Sequence, residues 1–562
     1  MARAQEQSSP QTDRAGAGPN RGGIDRAVFG VAAALALAFV VWGMDDDWGL
    51  KSTVDDVFAW VTDTLGWLFV LSSGAFVLFS VFLALSKYGR IRLGPDDEKP
   101  EFSTFSWISM MFATGMGIGL MFFGVAEPLT HLNTPPMGLA EPGSPEAAQL
   151  AMEYTFFHWG FHPWAMYAVI GLSIAYFAYR KGRGNLISSA FHPLIGRHAD
   201  GAPGKAIDIV AIFATLVGSA TSLGLGALQM TGGIDDLFGS GQGSTTLAVG
   251  VIVVLTACFV VSAVSGIERG VKWLSNGNAV AAGLLALFLF VVGPSVFILA
   301  TFTDSIGGYL TNVPGMSFQT GVFENQQAAW LNGWTIFYWA WWISWTPFVG
   351  MFIARISKGR TIREFVAGVL VAPSLVSFMW FSILGGAAFD LQLNQGVDMA
   401  AALAQGEETA LFETLREFPL GVITVSLAVF LIAIFYITGA DSASIVMGML
   451  SQRGEEHPNR FLVVFWGVAT GAVAAIMLSA GGAAGLTALQ TLVIVVATPF
   501  LLVLIAMAVS LLKALREESF ESTLSPRERQ VMEGANGDGA DAKREGAEAD
   551  AGPAGRGSVA RR

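Results

Sequence analysis

Apolar runs of bilayer-spanning length, each closed by charges, glycines or prolines, recur along the chain from near residue 27 to residue 513. They predict helices over 27–43, 64–86, 103–126, 152–179, 206–230, 245–265, 277–300, 332–355, 363–387, 419–449, 461–480 and 486–513. Crossing the hydrocarbon of a bilayer takes roughly 20 mostly apolar residues in a helix, and these runs supply them. The strands of a transmembrane barrel alternate apolar and polar residues, whereas these runs are unbroken, so a barrel is excluded. The expected fold class is an all-α integral membrane protein with twelve transmembrane helices.

The charges between the runs fix an expected orientation, because Lys and Arg collect on the cytoplasmic side of a membrane. Arg90 with Arg92, Arg180 with Lys181 and Arg183, Arg269 with Lys272, Lys358 with Arg360 and Arg363, and Arg453 with Arg460 follow the second, fourth, sixth, eighth and tenth helices. Of 32 Lys and Arg, only Lys51 and Arg416 fall in the intervening loops. Both termini are therefore expected in the cytoplasm of a multi-pass protein of the cell membrane. The stretch 301–331 carries neither Lys nor Arg and reads as an external amphipathic segment. Residues 1–26 and 514–562 read as disordered tails, the second holding ten acidic and seven basic residues from Glu517 onward.

Composition narrows the function. Apolar residues make up 53% of the 562 and charged residues 14%, against about 25% charged in water-soluble chains. A net charge of −12 lacks the basic face that nucleic acid requires. One cysteine, Cys258, sits inside an apolar run, which excludes an internal disulfide and thiolate metal clusters. The first apolar run follows a polar tail, so no cleavable signal peptide is expected. No G-x-x-x-x-G-K-[ST] loop occurs, so ATP is not the expected energy source.

Four groups of residues carry candidate chemistry. Gly115, Gly117 and Gly119 stand at spacing two in the third helix, each costing a helix about 1 kcal/mol relative to alanine. Such a run packs closely against a neighbour or unwinds, and unwound carbonyls facing a cavity suit a hard cation such as sodium. Trp159, Trp164 and Tyr167 in the fourth helix fall within about 140° of one face at 100° per residue, and Trp341, Trp342 and Trp345 in the eighth within about 100°. Six rings in two mid-helix clusters fit poorly with an interfacial belt and suit cation–π binding of a quaternary ammonium group. His158 and His162, four apart, lack the H-E-x-x-H pattern and a third ligand, so no metal beyond sodium is expected. Asp441 in the tenth helix is an intramembrane carboxylate, which suits either a functional role or a packing hydrogen bond.

The run from Trp334 through Trp339, Trp341, Trp342, Trp345 and Pro347 to Glu364 resembles the signature of the betaine/choline/carnitine transporter family. The glycines at 115–119, the stretch His158 to Tyr167 and the stretch Thr438 to Ser444 extend that resemblance over residues 102–513. It implies two peripheral helices over 27–101, then inverted repeats at 102–300 and 332–513, each of five helices with its first helix broken, in a LeuT-like core. It implies substrate contacts from Trp159, Trp164, Tyr167, Trp341, Trp342, Trp345 and Met116, with Gly115, Gly117 and Gly119 as hinge. It implies one sodium site at Ala113, Met116, Phe435 and Thr438 and another at Thr215, Ser219 and Phe348. Where relatives carry a serine after that threonine, this chain has Gly439, which removes one hydroxyl ligand. Helix five has no Lys or Arg to stand in for an ion, and Gly119 lacks the acid that choline carriers place there. The implied function is sodium-coupled uptake of glycine betaine or a similar compatible solute such as ectoine, by a prokaryotic homotrimer embedded in lipid. The alternative is choline or carnitine transport driven by protons or exchange. A channel would need a continuous polar pore, whereas the motif residues build one aromatic pocket, and a membrane enzyme would need paired titratable groups facing a cavity.

Overall fold

A computed structural model of the chain describes residues 23–115, 117–239, 245–265, 268–481 and 484–518. Helix starts follow local chemistry. Asp25 caps α1 (Arg26–Trp42) by accepting from the amides of Ala27 and Val28, and its carboxylate also pairs with Lys205 at 2.9 Å. After α2 (Leu50–Leu85) comes α3 (Thr104–Gly115), which stops within the glycine run; α4 (Ile118–Asn133) resumes from an extended Gly117. The single helix predicted over 103–126 is thus two, the second running seven residues further. Ser144 caps α5 (Pro145–Trp159), with proline at the first helical position where no amide bond is lost.

A second break was not expected. Gly160 separates α5 from α6 (Phe161–Ala175), although the sequence predicts one helix over 152–179. A Cβ at Gly160 would lie 2.5 Å from the Phe156 carbonyl oxygen and 2.8 Å from the Phe378 ring, so only glycine fits there. Pro163 removes one amide donor just beyond it.

The chain continues through α7 (His192–Ile195), α8 (Ala202–Phe238), α9 (Thr245–Ser265) and α10 (Glu268–Val292). The stretch expected to lie outside the membrane is α11 (Ser295–Met316) followed by α12 (Asn325–Leu331). One π-helical turn over 332–336 joins α12 to α13 (Phe337–Ile356), which is continuous. The break implied for this helix is therefore absent; it has no glycine run, only Pro347 within it. Thr361 and Glu364 form a reciprocal capping box that starts α14 (Ile362–Leu393). Short α15 (Met399–Gln405) and α16 (Ala410–Arg416) lead to α17 (Gly421–Ser451), α18 (Arg460–Gly481) and α19 (Gly485–Arg516).

Nine helical stretches among the described residues are long and apolar enough to cross a membrane, α5 and α6 together forming one of them across Gly160. Three other predicted crossings fall on α1, which is short, on the interrupted α3 and α4, and on aromatic-rich α13. At the centre, α13 packs against α6, α8 and α19, α17 against α8 and α18, and α4 against α5, α8 and α14. Residues 1–22 and 519–562, which hold most of both predicted tails, lie outside the described residues.

The end of α19 is tied down by charge. Glu518 meets Arg180 at 3.0 Å and Lys181 at 2.7 Å, and accepts from the Tyr176 hydroxyl at 2.6 Å. Burial pushes its carboxyl up, but these three donors outweigh that and hold it at about 2. A depressed acid contributes stability above its unfolded value near 4.5 and loses it as pH falls through the folded value. Hydrogen-exchange protection at residues 510–518, taken relative to the intrinsic rate at each pH, should therefore be unchanged from pH 7 to 5 and should fall in Glu518→Ala at pH 7; equal protection in the variant refutes the anchor.

Candidate functional site

The aromatic residues sort into two groups. Trp159, at the end of α5, lies 4.8 Å from Trp342 and 6.3 Å from Trp341 between ring centroids, and the two α13 indoles stack on each other at 4.8 Å. Trp345 continues the row, 6.1 Å from Trp341 and 5.8 Å from Phe348. Trp164 and Tyr167, on α6, are buried and pair with each other at 5.5 Å. The break at Gly160 accounts for this division: a helical wheel drawn through residues 159–167 assumes one axis, and here there are two.

Each indole is held by its N–H. Trp341 donates to Ser222 Oγ at 3.1 Å, Trp342 to the His158 carbonyl at 3.0 Å, Trp345 to the Gly218 carbonyl at 3.0 Å and Trp159 to Glu127 Oε2 at 2.7 Å. Trp341 stacks on Trp342 and on Phe337, and Trp342 also stacks on Tyr338, so the rings are packed on one another here and of these four indoles only Trp345 lines the neighbouring cavity. Gly119 closes the group: a Cβ there would lie 2.8 Å from the Trp341 ring and 2.9 Å from the Trp159 ring. Here glycine serves close approach, at the start of α4 and two residues beyond the helix break.

Glu127 is a site residue that the sequence reading missed. It is fully buried, and its oxygens accept from Trp159 and from the Tyr338 hydroxyl, with His158 Nδ1 at 2.7 Å. One carboxylate thus joins α4, α5 and α13. Carboxylates inside a span are functional candidates, but the boundary drawn at residue 126 left this one just outside. Tyr338 and Ser222 escaped because a phenol or hydroxyl inside an apolar helix has no spacing signature.

Beside the cage lies a cavity of about 850 Å³. Its inner wall is formed by Gly117, Ser219, Ser222, Trp345, Phe348, Phe435, Thr438 and Gly439, and its mouth by Arg355, Glu456 and His457, all three exposed. Of the expected ion ligands, Ser219, Phe348, Phe435 and Thr438 line it. Thr215 is buried one turn from Ser219 and donates to the Ala211 carbonyl at 2.8 Å. The Thr438 hydroxyl donates to the Ile434 carbonyl at 2.9 Å, and its own lone pairs remain available to accept. A Cβ on Gly439 would meet nothing within 4 Å. Gly115 ends α3 and Ala113 lies within it, while Met116 lies outside the described residues.

The remaining candidates go elsewhere. His162 Nε2 lies 3.0 Å from Ser317 Oγ and its ring stacks on Trp339, so it does not share a ligand with His158. Asp441 is half-buried on α17, off the cavity wall that Thr438, Gly439 and Ser442 supply.

Comparison with known proteins agrees with this arrangement. A model of the betaine/carnitine/choline family transporters matches residues 27–520. The chain is 48% identical to the glycine betaine transporter OpuD of Bacillus subtilis, over 88% of this chain and 95% of that one. It is 46% identical to a probable glycine betaine transporter of Desulfitobacterium hafniense, over 88% and 99% of the two chains. It is 42% identical to the betaine/ectoine transporter LcoP of Corynebacterium glutamicum, over 88% and 78%. Relatives and family are transporters and not enzymes, and apolar helices run through the fold. The chain is a multi-pass membrane protein belonging to the betaine/carnitine/choline transporter family.

Proposed function

We propose that this transporter imports glycine betaine or a related compatible solute such as ectoine, coupled to sodium, by alternating access. The observation that carries the reading is the closure of Trp159, Trp341 and Trp342 on Gly119, beside the interruption between α3 and α4. Parted from the packed arrangement of this form, the three indoles would offer faces to a trimethylammonium group, each cation–π contact contributing about 1–2 kcal/mol when desolvated. A micromolar site needs about −8 kcal/mol, so the solute's carboxylate and the ions must contribute comparably. The names of relatives that carry glycine betaine, or betaine and ectoine, support the same cargo.

The cavity supports the coupling and the transport cycle. It reaches from Ser219, Phe348, Phe435 and Thr438, where two sodium ions would bind, to a mouth at Arg355 and Glu456 beside loops rich in Lys and Arg. Such loops face the cytoplasm, so this form is the inward-open one of a cycle whose outward form exposes the cage to the other side. Twelve crossings, formed by the nine long helical stretches with α1, α3/α4 and α13, and two inverted repeats of five belong to this reading. So do cytoplasmic termini and a homotrimer in a prokaryotic membrane. Two sodium ions carried with a neutral zwitterion supply roughly 7 kcal/mol at 100 mV and a tenfold gradient, about a 10⁵-fold accumulation. One ion supplies only about 500-fold, too little for an osmolyte held at high concentration.

The test is uptake of radiolabelled glycine betaine, ectoine, choline and carnitine into cells or vesicles, in sodium and in potassium medium. Betaine or ectoine uptake that requires sodium supports the proposal; sodium-independent uptake, or uptake of choline or carnitine alone, refutes it. Gly439→Ser tests the first ion site separately. The space beside Gly439 admits the side chain, and its hydroxyl adds a ligand next to Thr438. The sodium concentration for half-maximal uptake should fall about three- to tenfold, a change of about 1 kcal/mol; no change places the ion elsewhere.

A further inference from the structure

We propose that Glu127, His131 and His158 form a buried site for a divalent transition metal of the zinc class, separate from the expected sodium sites. The three residues each offer one ligand atom, and these atoms lie within 4.8 Å of one another. Glu127 Oε1 is 2.7 Å from His158 Nδ1 and 3.6 Å from His131 Nε2, and all three side chains are fully buried. Among the described residues neither buried ring nitrogen of His131 has a hydrogen-bond partner, and the ring packs against Trp330 and Trp334 at 5.2 and 4.5 Å. Buried polar atoms are almost always paired, so an imidazole fixed in place with no hydrogen bond at either nitrogen, and with Nε2 turned to a carboxylate at 3.6 Å, suits a metal ligand.

The second histidine is prepared in the same sense. His158 Nδ1 shares a proton with Glu127 Oε1 at 2.7 Å; metal binding would release it, the imidazole keeping an Nε2–H donated to Thr335 Oγ1 at 3.0 Å and turning the Nδ1 lone pair to the metal. A ligand histidine whose other ring N–H is held by a neighbouring oxygen is the usual arrangement at metal centres. Two imidazoles and a carboxylate, with a fourth position open, is a known zinc donor set, and nitrogen ligands discriminate against sodium, which takes oxygen. The spacing of His158 and His162 offered no third ligand, because Glu127 and His131 come from α4 and the break at Gly160 sends the His162 ring to other neighbours.

The site also touches the cage. A metal on Oε1 draws on the carboxylate whose Oε2 holds Trp159 and Tyr338, so metal binding and solute binding share one group. The purified full-length transporter, stripped by chelation and titrated with zinc and separately with cobalt(II), should bind one metal per chain. Bound cobalt should show the visible absorption of a tetrahedral nitrogen/oxygen site. His131→Ala should lower zinc affinity more than tenfold, with glycine betaine binding, read by tryptophan fluorescence, within twofold. Equal zinc affinity in the variant, or only octahedral cobalt absorption in the unmodified protein, overturns the proposal. The cobalt spectrum needs no variant, so it decides the matter even where His131→Ala fails to fold.

Discussion

Trp342→Leu should reduce uptake at micromolar glycine betaine to background while the transporter still reaches the membrane. Trp342 touches both other cage indoles at 4.8 Å, edge-on to Trp159 and stacked on Trp341. Leucine has no π face, and it leaves the His158 carbonyl without the indole N–H that it now accepts. The direct loss is one cation–π contact, about 1–2 kcal/mol. Trp159 also loses the surface that braces it, so the surviving walls are less well placed. Together these should weaken binding about 10- to 100-fold. Phenylalanine keeps a face without the N–H and should recover part of the affinity, whereas methionine should not. Equilibrium binding followed by fluorescence, alongside uptake, measures this, and an unchanged dissociation constant for Trp342→Leu would remove the cage from the binding site.

The helices were legible in the sequence because bilayer-length apolar runs leave little freedom, and loop charges mark their limits. The interruption at residues 115–118 was legible for a comparable reason: three glycines at spacing two are costly in any continuous helix. Gly160 carried no such signal. A single glycine is common in membrane helices, and what excludes a side chain there is the Phe156 carbonyl together with the Phe378 ring on α14, more than two hundred residues away. That one misreading propagated, placing Trp164 and Tyr167 on the face of Trp159. The opposite error occurred at α13, where the resemblance implied a break and the chain stays helical. The hub at Glu127 depends on three donors from two other helices, His158 and Trp159 on α5 and Tyr338 on α13, and no local pattern encodes a meeting of that kind.

Glu127→Leu should be among the most damaging single substitutions in the protein, and comparison with Glu127→Gln shows why. Leucine strands the Trp159 N–H, the Tyr338 hydroxyl and the proton shared with His158 in a buried place, and removing one side of a buried polar cluster costs about 3–5 kcal/mol. Glutamine keeps the shape, and its single carbonyl can still accept from Trp159 and Tyr338. Its amide then faces His158, which can accept at Nδ1 by moving its proton to Nε2, where Thr335 receives it. Glu127→Gln should therefore retain most of the thermal stability but only part of the affinity, since a neutral acceptor holds Trp159 less tightly than a carboxylate. Glu127→Leu should lose both, with a clearly lowered Tm and glycine betaine binding weakened about 100-fold. A leucine variant as stable as the unmodified protein would mean that the three donors find other partners and that the cage does not depend on this carboxylate. If affinity falls equally in both variants, the negative charge itself matters to the bound cation, because only charge is common to the two losses.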